Sequence, residues 1–193
     1  MQKKEIKLRN QGIALEYITL LWNVVGFGII LFAALKAHSV ALAGFGLDSF
    51  IEIFASVIVV WQLKSINKDK ERFAERLIGC AFFALALYIS LQVVIVLANG
   101  IRPEQSTLGI VWLSLTAVVM LLLAYGKGVV GKALGNPVLQ TEAKVTLIDA
   151  FLAISVLTGL AVNAVFGIWY ADLIAAGVIV YYGIKEGLHA VKG

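Results

Sequence analysis

The chain is predicted to be an all-α integral membrane protein, on three observations. Hydrophobic residues make up 61% of it and charged residues only 15%, against roughly 25% charged in a soluble domain. Mean hydropathy is +0.93. The apolar residues also gather into six runs, at about 13–35, 40–63, 77–98, 108–126, 145–166 and 169–187, each near the ~20 residues a helix needs to cross hydrocarbon. No Pro/Ser-rich linker separates these runs, so residues 1–193 are expected to form a single six-helix domain with no soluble appendage.

The first run follows Lys3, Lys4, Lys7 and Arg9 and precedes Ala34-Leu-Lys-Ala37, which has the outline of a secretory signal. It is longer than the ~7 to 15 residue apolar core of a signal peptide and carries Glu16 and Asn23, so it reads as a span. Glu16, Thr19 and Asn23 form a polar edge on it, with Glu16 expected near the membrane surface in solvent. The second run, Ser39 to Trp61, contains Asp48 and Glu52 four residues apart, on one helix face. At ~1.5 Å rise per residue they sit roughly 12 and 18 Å along the span, about the bilayer midplane. Cys80, in the third run, is expected to be a small buried hydrophobe. With one cysteine there is no intrachain disulfide.

After the fourth run, Asn136-Pro137 reads as a helix start, with Asn capping and Pro in the first helical position. Helix five then begins before its apolar stretch and carries Glu142, Thr146 and Asp149 at i, i+4, i+7, a polar stripe that suits a hydrated approach from the cytoplasm. Counted from Pro137, Asp149 is also about 18 Å along its helix, so three carboxylates are expected to meet at one depth. At the start of the sixth run, Asp172 is expected to cap its own helix from the first turn. His38 and His189 lie at interfaces with no nitrogen or sulfur ligand at useful spacing, and are expected to be solvated. Gly26, Gly28, Gly44, Gly46, Gly159, Gly177 and Gly183 suit close helix packing.

Fourteen Lys and Arg residues fall in the tails and loops of one side and two, Lys36 and Arg102, on the other. This asymmetry predicts cytoplasmic termini and accounts for the net charge of +4 without a nucleic-acid partner. The basic cluster from Lys64 to Arg76 also has the composition of an anionic-lipid contact, although orientation alone explains it. Every Lys and Arg is expected at or beyond a span end, leaving no internal cation to neutralise the acids. An uncompensated charge at depth costs at least ~2.5 to 3.5 kcal/mol even on lenient insertion scales, so the missing partner is a bound cation or protons. The competing reading is that the acids pair with hydroxyls and amides in a packed bundle.

The segment Gly44-Phe-Gly-Leu-Asp48-Ser-Phe-Ile-Glu52 resembles the second span of the cation diffusion facilitator family. Ala143-Lys-Val-Thr-Leu-Ile-Asp149, Gly159-Leu-Ala-Val-Asn163 and Trp169-Tyr-Ala-Asp172 resemble its fifth and sixth spans, and Asn23 its first. The resemblance implies a proton-coupled exporter of zinc, manganese or a similar divalent metal, often a homodimer, in a plasma membrane, here the bacterial inner membrane. It implies Asp48, Glu52 and Asp149 as metal ligands; Glu142 and Thr146, from their place on the polar stripe, and Asn23 are expected to support them or line the path. Two departures stand out. Where zinc-transporting members usually place a His one turn before the span-five Asp, this chain has Val145, and it is expected to lack the cytoplasmic metal-binding domain that commonly follows span six. Metal is then a substrate, with no tightly bound cofactor expected. The alternative is a non-transporting membrane subunit that binds metal or a partner protein through its spans. An enzyme is not expected, because the chain has no His pair, no Gly-x-Ser-x-Gly and no Cys cluster.

Overall fold

The computed structural model describes the backbone of residues 2–64 and 68–192; the side chains of 1–4, 55, 58, 59, 61–78, 137, 138 and 190–193 lie outside the described residues. The basic cluster from Lys64 to Arg76 is among these. The described backbone forms helices joined by short loops, with no strand: α1 (Gln2–Ala37), α2 (Val40–Lys64), α3 (Lys68–Asn99), α4 (Thr107–Leu134), α5 (Pro137–Phe166) and α6 (Tyr170–Lys192). Four stretches among the described residues are long and apolar enough to cross a membrane: Glu5–Ala37, Gly79–Asn99, Thr107–Leu134 and Leu139–Phe166. Asp48 and Glu52 lie within the apolar run of α2, and Asp172 in the first turn of α6.

Local chemistry sets most of the helix ends. Asn136 caps α5 by accepting from Leu139 N–H at 3.0 Å, with Pro137 in the first turn, as the sequence predicts. Gly135 and Gly167 stop α4 and α5 at φ 60° and 66°, a left-handed conformation that glycine adopts without a Cβ clash. Exposed His38 takes the equivalent position after α1 at φ 51°, while Ser39 N–H reaches back to Ala34 C=O at 3.2 Å. That is the Schellman ending with His where Gly is usual.

Helix α2 touches α1, α3, α5 and α6, and α4 touches α1 and α5. The apolar core lies at these crossings, with Ile30, Leu42, Ile89, Leu113, Val156 and Ile179 almost fully buried. A smaller cluster of Met120, Leu123 and Ala150 seals α4 against α5, beside the stacked pair Trp22 and Trp112. Large apolar side chains such as Phe32, Leu35, Leu122 and Ile174 point outward, as lipid-facing positions do. Gly159 brings α5 against α6 so closely that a Cβ would stand 2.9 Å from Ala171 C=O. Gly28 and Gly177, also expected at close crossings, have no neighbour within 4 Å, and Cys80 is exposed rather than buried.

Candidate cation site

Asn23 on α1 donates from Nδ2 to Glu52 Oε2 on α2 at 2.7 Å, a buried bond that joins two helices at the depth the sequence assigns to the acids. Asp149 on α5 faces the same carboxyl, close enough for a side-chain hydrogen bond between the two acids. Asp48 lies one turn earlier on α2 and within electrostatic reach of Glu52 and Asp149. Asp48, Glu52 and Asp149 are each no more than 5% exposed, so the cluster is occluded and an ion exchanges only if helices move. Glu52 Oε1 and Asp149 Oδ2 have no hydrogen-bond partner, and neither does Ser56 Oγ, one turn beyond Glu52. A buried acceptor left without a donor is costly, so carboxylate oxygens in this state call for protons or a cation. Among the described residues no group of three or more His, Cys, Asp or Glu is drawn tightly enough to hold an ion as it stands.

The polar stripe on α5 differs from the expected hydrated approach. Glu142 and Thr146 are buried and bonded to Lys127 of α4, whose Nζ lies 3.2 Å from Glu142 Oε1 and 3.0 Å from Thr146 Oγ1. Lys127 also pairs with Glu16 Oε2 at 3.1 Å. Two sequence expectations are corrected here. An internal cation does exist, because α4 continues to Leu134 and places Lys127 about two turns inside the helix. Glu16 is fully buried and ion-paired instead of solvated at the surface.

A third correction concerns Asp172. Its carboxylate serves the start of α2 and not its own helix: Oδ2 accepts from Val40 N–H at 3.0 Å and Ala41 N–H at 3.3 Å, and Oδ1 from the Ser39 hydroxyl. Ser39 Oγ in turn accepts from Leu42 N–H at 3.1 Å. An acid at a helix N-terminus satisfies orphan N–H groups and meets the positive end of the helix dipole. Nearby, Asn163 Nδ2 donates to Pro103 C=O at 3.0 Å, and Glu104 N–H to Ala37 C=O at 2.8 Å, tying the α3–α4 loop to α5 and α1. His38 and His189 are exposed, as expected.

Residues 17–192 match the cation efflux transmembrane domain. The chain belongs to the cation efflux family. Members of this family are transporters of cations and multi-pass membrane proteins, which agrees with the long apolar helices. This cation efflux protein is also 24% identical over 177 residues to transmembrane protein 163 of Xenopus laevis, a match that covers 87% of the chain. It spans 62% of the length of that curated relative.

Ser56, Lys127 and the α2-capping role of Asp172 escaped the sequence reading. For Lys127 a signal exists: the helix stop at Gly135 leaves the lysine well inside α4.

Proposed function

We propose that the chain is a divalent metal cation transporter that exports zinc, manganese or a similar ion in exchange for protons. Asp48, Glu52 and Asp149 supply the ligands at mid-membrane. Asn23 orients Glu52, and Glu142 and Thr146 line the path towards the start of α5. The observation that carries this reading is the pair of buried, partnerless oxygens, Glu52 Oε1 and Asp149 Oδ2, on carboxyl groups that face each other in a cation efflux protein. Two carboxylates that cannot be satisfied by the protein are satisfied by a cation or by protons, and the two compete because metal binding requires the deprotonated ligand. If helix movement exposes the site to each side in turn, that competition exchanges metal for protons.

Six spans with both termini in the cytoplasm, a plasma-membrane location and a homodimer complete the proposal. The charge asymmetry of the loops supports the orientation. Uptake of Mn²⁺ or Zn²⁺ into proteoliposomes tests the function directly. Flux is expected to need a pH gradient, or to be accelerated by one, with the acid on the side to which metal is delivered. Flux indifferent to the gradient at fixed metal overturns exchange. No flux with any divalent ion favours a metal-binding subunit that does not transport.

A further inference from the structure

Two polar layers cross the bundle between α1 and α5. Asn23 and Asp149 belong to one, together with Glu52. Glu16 and Glu142 stand seven residues earlier on the same two helices, two turns or about 10 Å nearer the N-terminal end of each. The first layer leaves carboxylate oxygens without partners. The second is filled by Lys127, whose side chain is fully buried and whose Nζ has Thr146 Oγ1 at 3.0 Å, Glu16 Oε2 at 3.1 Å and Glu142 Oε1 at 3.2 Å. Thr146 Oγ1 and Glu142 Oε1 accept hydrogen bonds from the ammonium, whereas Glu16 Oε2 meets it as an ion pair without one.

Lys127 fills the layer incompletely in two respects. Glu16 Oε1 and Oε2 are both buried with no hydrogen-bond partner, so the layer holds oxygens that the ammonium does not satisfy. If both Glu16 and Glu142 ionise, they carry twice the charge of one ammonium and balance a divalent ion. We infer that Glu16, Glu142 and Thr146 form a second site for a hard divalent cation, which Lys127 fills with its own ammonium until it is displaced. Oxygen ligands of this kind suit Mg²⁺- or Mn²⁺-like ions. Bare divalent ions sit roughly 2.0 to 2.6 Å from their oxygens, so replacing the ammonium draws the ligands inward by up to about 1 Å. This deepens the transport reading and rests on it: an ion moving from the start of α5 to Asp149 passes this layer, and Lys127 has to yield.

Equilibrium binding of Mn²⁺ to the full chain in nanodiscs tests the inference. Wild type is expected to bind one ion per chain and Lys127→Met two, while Lys127→Met combined with Glu142→Gln returns to one. Without metal, Lys127→Met is expected to have a lower Tm than wild type, and saturating Mn²⁺ is expected to raise it by more than it raises the wild-type Tm. If the variant is too unstable to titrate, purification in Mn²⁺ is expected to recover folded protein, because the ion then replaces the ammonium. Unchanged stoichiometry in Lys127→Met, two ions retained in the double variant, or a variant that stays unfolded in saturating Mn²⁺ each overturns the second site. No ion on wild type with one on Lys127→Met would sink the Glu52–Asp149 site and leave this one standing.

Discussion

Asp172 and Asp149 are both carboxylates enclosed by apolar helices, and they have opposite surroundings. Asp172 receives two backbone N–H groups and the Ser39 hydroxyl, so both of its oxygens are used. Asp149 keeps Oδ2 without a hydrogen-bond partner, and it faces another acid, Glu52. Burial alone therefore does not mark a functional acid in this protein. What separates the two is donor supply: one carboxylate closes a helix end, and the other keeps an oxygen without a donor. Lys127 with Glu16 and Glu142 stands between them, with a cation present but neither Glu16 oxygen hydrogen-bonded.

The comparison breaks most sharply at the empty acids. Asp48→Ala, Glu52→Ala and Asp149→Ala are each expected to reduce proteoliposome metal flux to background; Asp149→Ala should leave Tm little changed, since no satisfied bond is lost at Oδ2, while Glu52→Ala also strands Asn23 Nδ2 and should lower Tm. Combining two of them should add little. Wild-type flux in any one would remove that residue from the site, and additive partial losses would indicate separate points along a path.

The satisfied acid should respond in the other currency. Asp172→Ala strands Val40 and Ala41 N–H groups and is expected to cost about 2–3 kcal/mol, read as a lower Tm, with flux per folded molecule retained. If flux per folded molecule vanishes while Tm holds, Asp172 is a ligand and the distinction drawn from donor supply is wrong. A gentler change is Val145→His. Val145 lies one turn before Asp149 on a half-buried face, so an imidazole there is expected to raise Zn²⁺ preference over Mn²⁺ several-fold in competition binding. An unchanged ratio would mean that the face does not meet the ion. The smallest effect is expected from Ser39→Ala, which removes the hydroxyl between Asp172 and Leu42 N–H and should lower stability by about 1 kcal/mol with flux intact.

Features fixed by neighbouring residues were legible before the fold was seen. Asn136-Pro137 announces α5, and the four-residue spacing of Asp48 and Glu52 puts both on one face. Features made by residues far apart were not. The partner of Asp172 lies 133 residues away at Ser39, and no periodicity within α6 points there. Lys127 was hidden by a different cause. Hydropathy ends the fourth apolar run at about residue 126, whereas hydrogen bonding carries the helix on to Leu134, so a residue read as loop lies inside the bundle. Glu16 was misplaced for the same reason, since α1 already begins at Gln2. Orientation is open to a direct test: cysteines placed near exposed Arg102 in Cys80-free protein should label from outside, and those near Lys70 should not.

The tight turn at Gly135 and Asn136 has a consequence for how the chain is made. Lys127 and Glu142 sit on the two arms of one helical hairpin, each within a few turns of that bend. A lysine entering lipid alone pays the full cost of an isolated charge, about 2.5 to 3.5 kcal/mol on insertion scales. Threaded together as a hairpin, the α4 and α5 arms carry their opposite charges into the bilayer already paired, whereas Glu52 must wait for helices synthesised both before and after it.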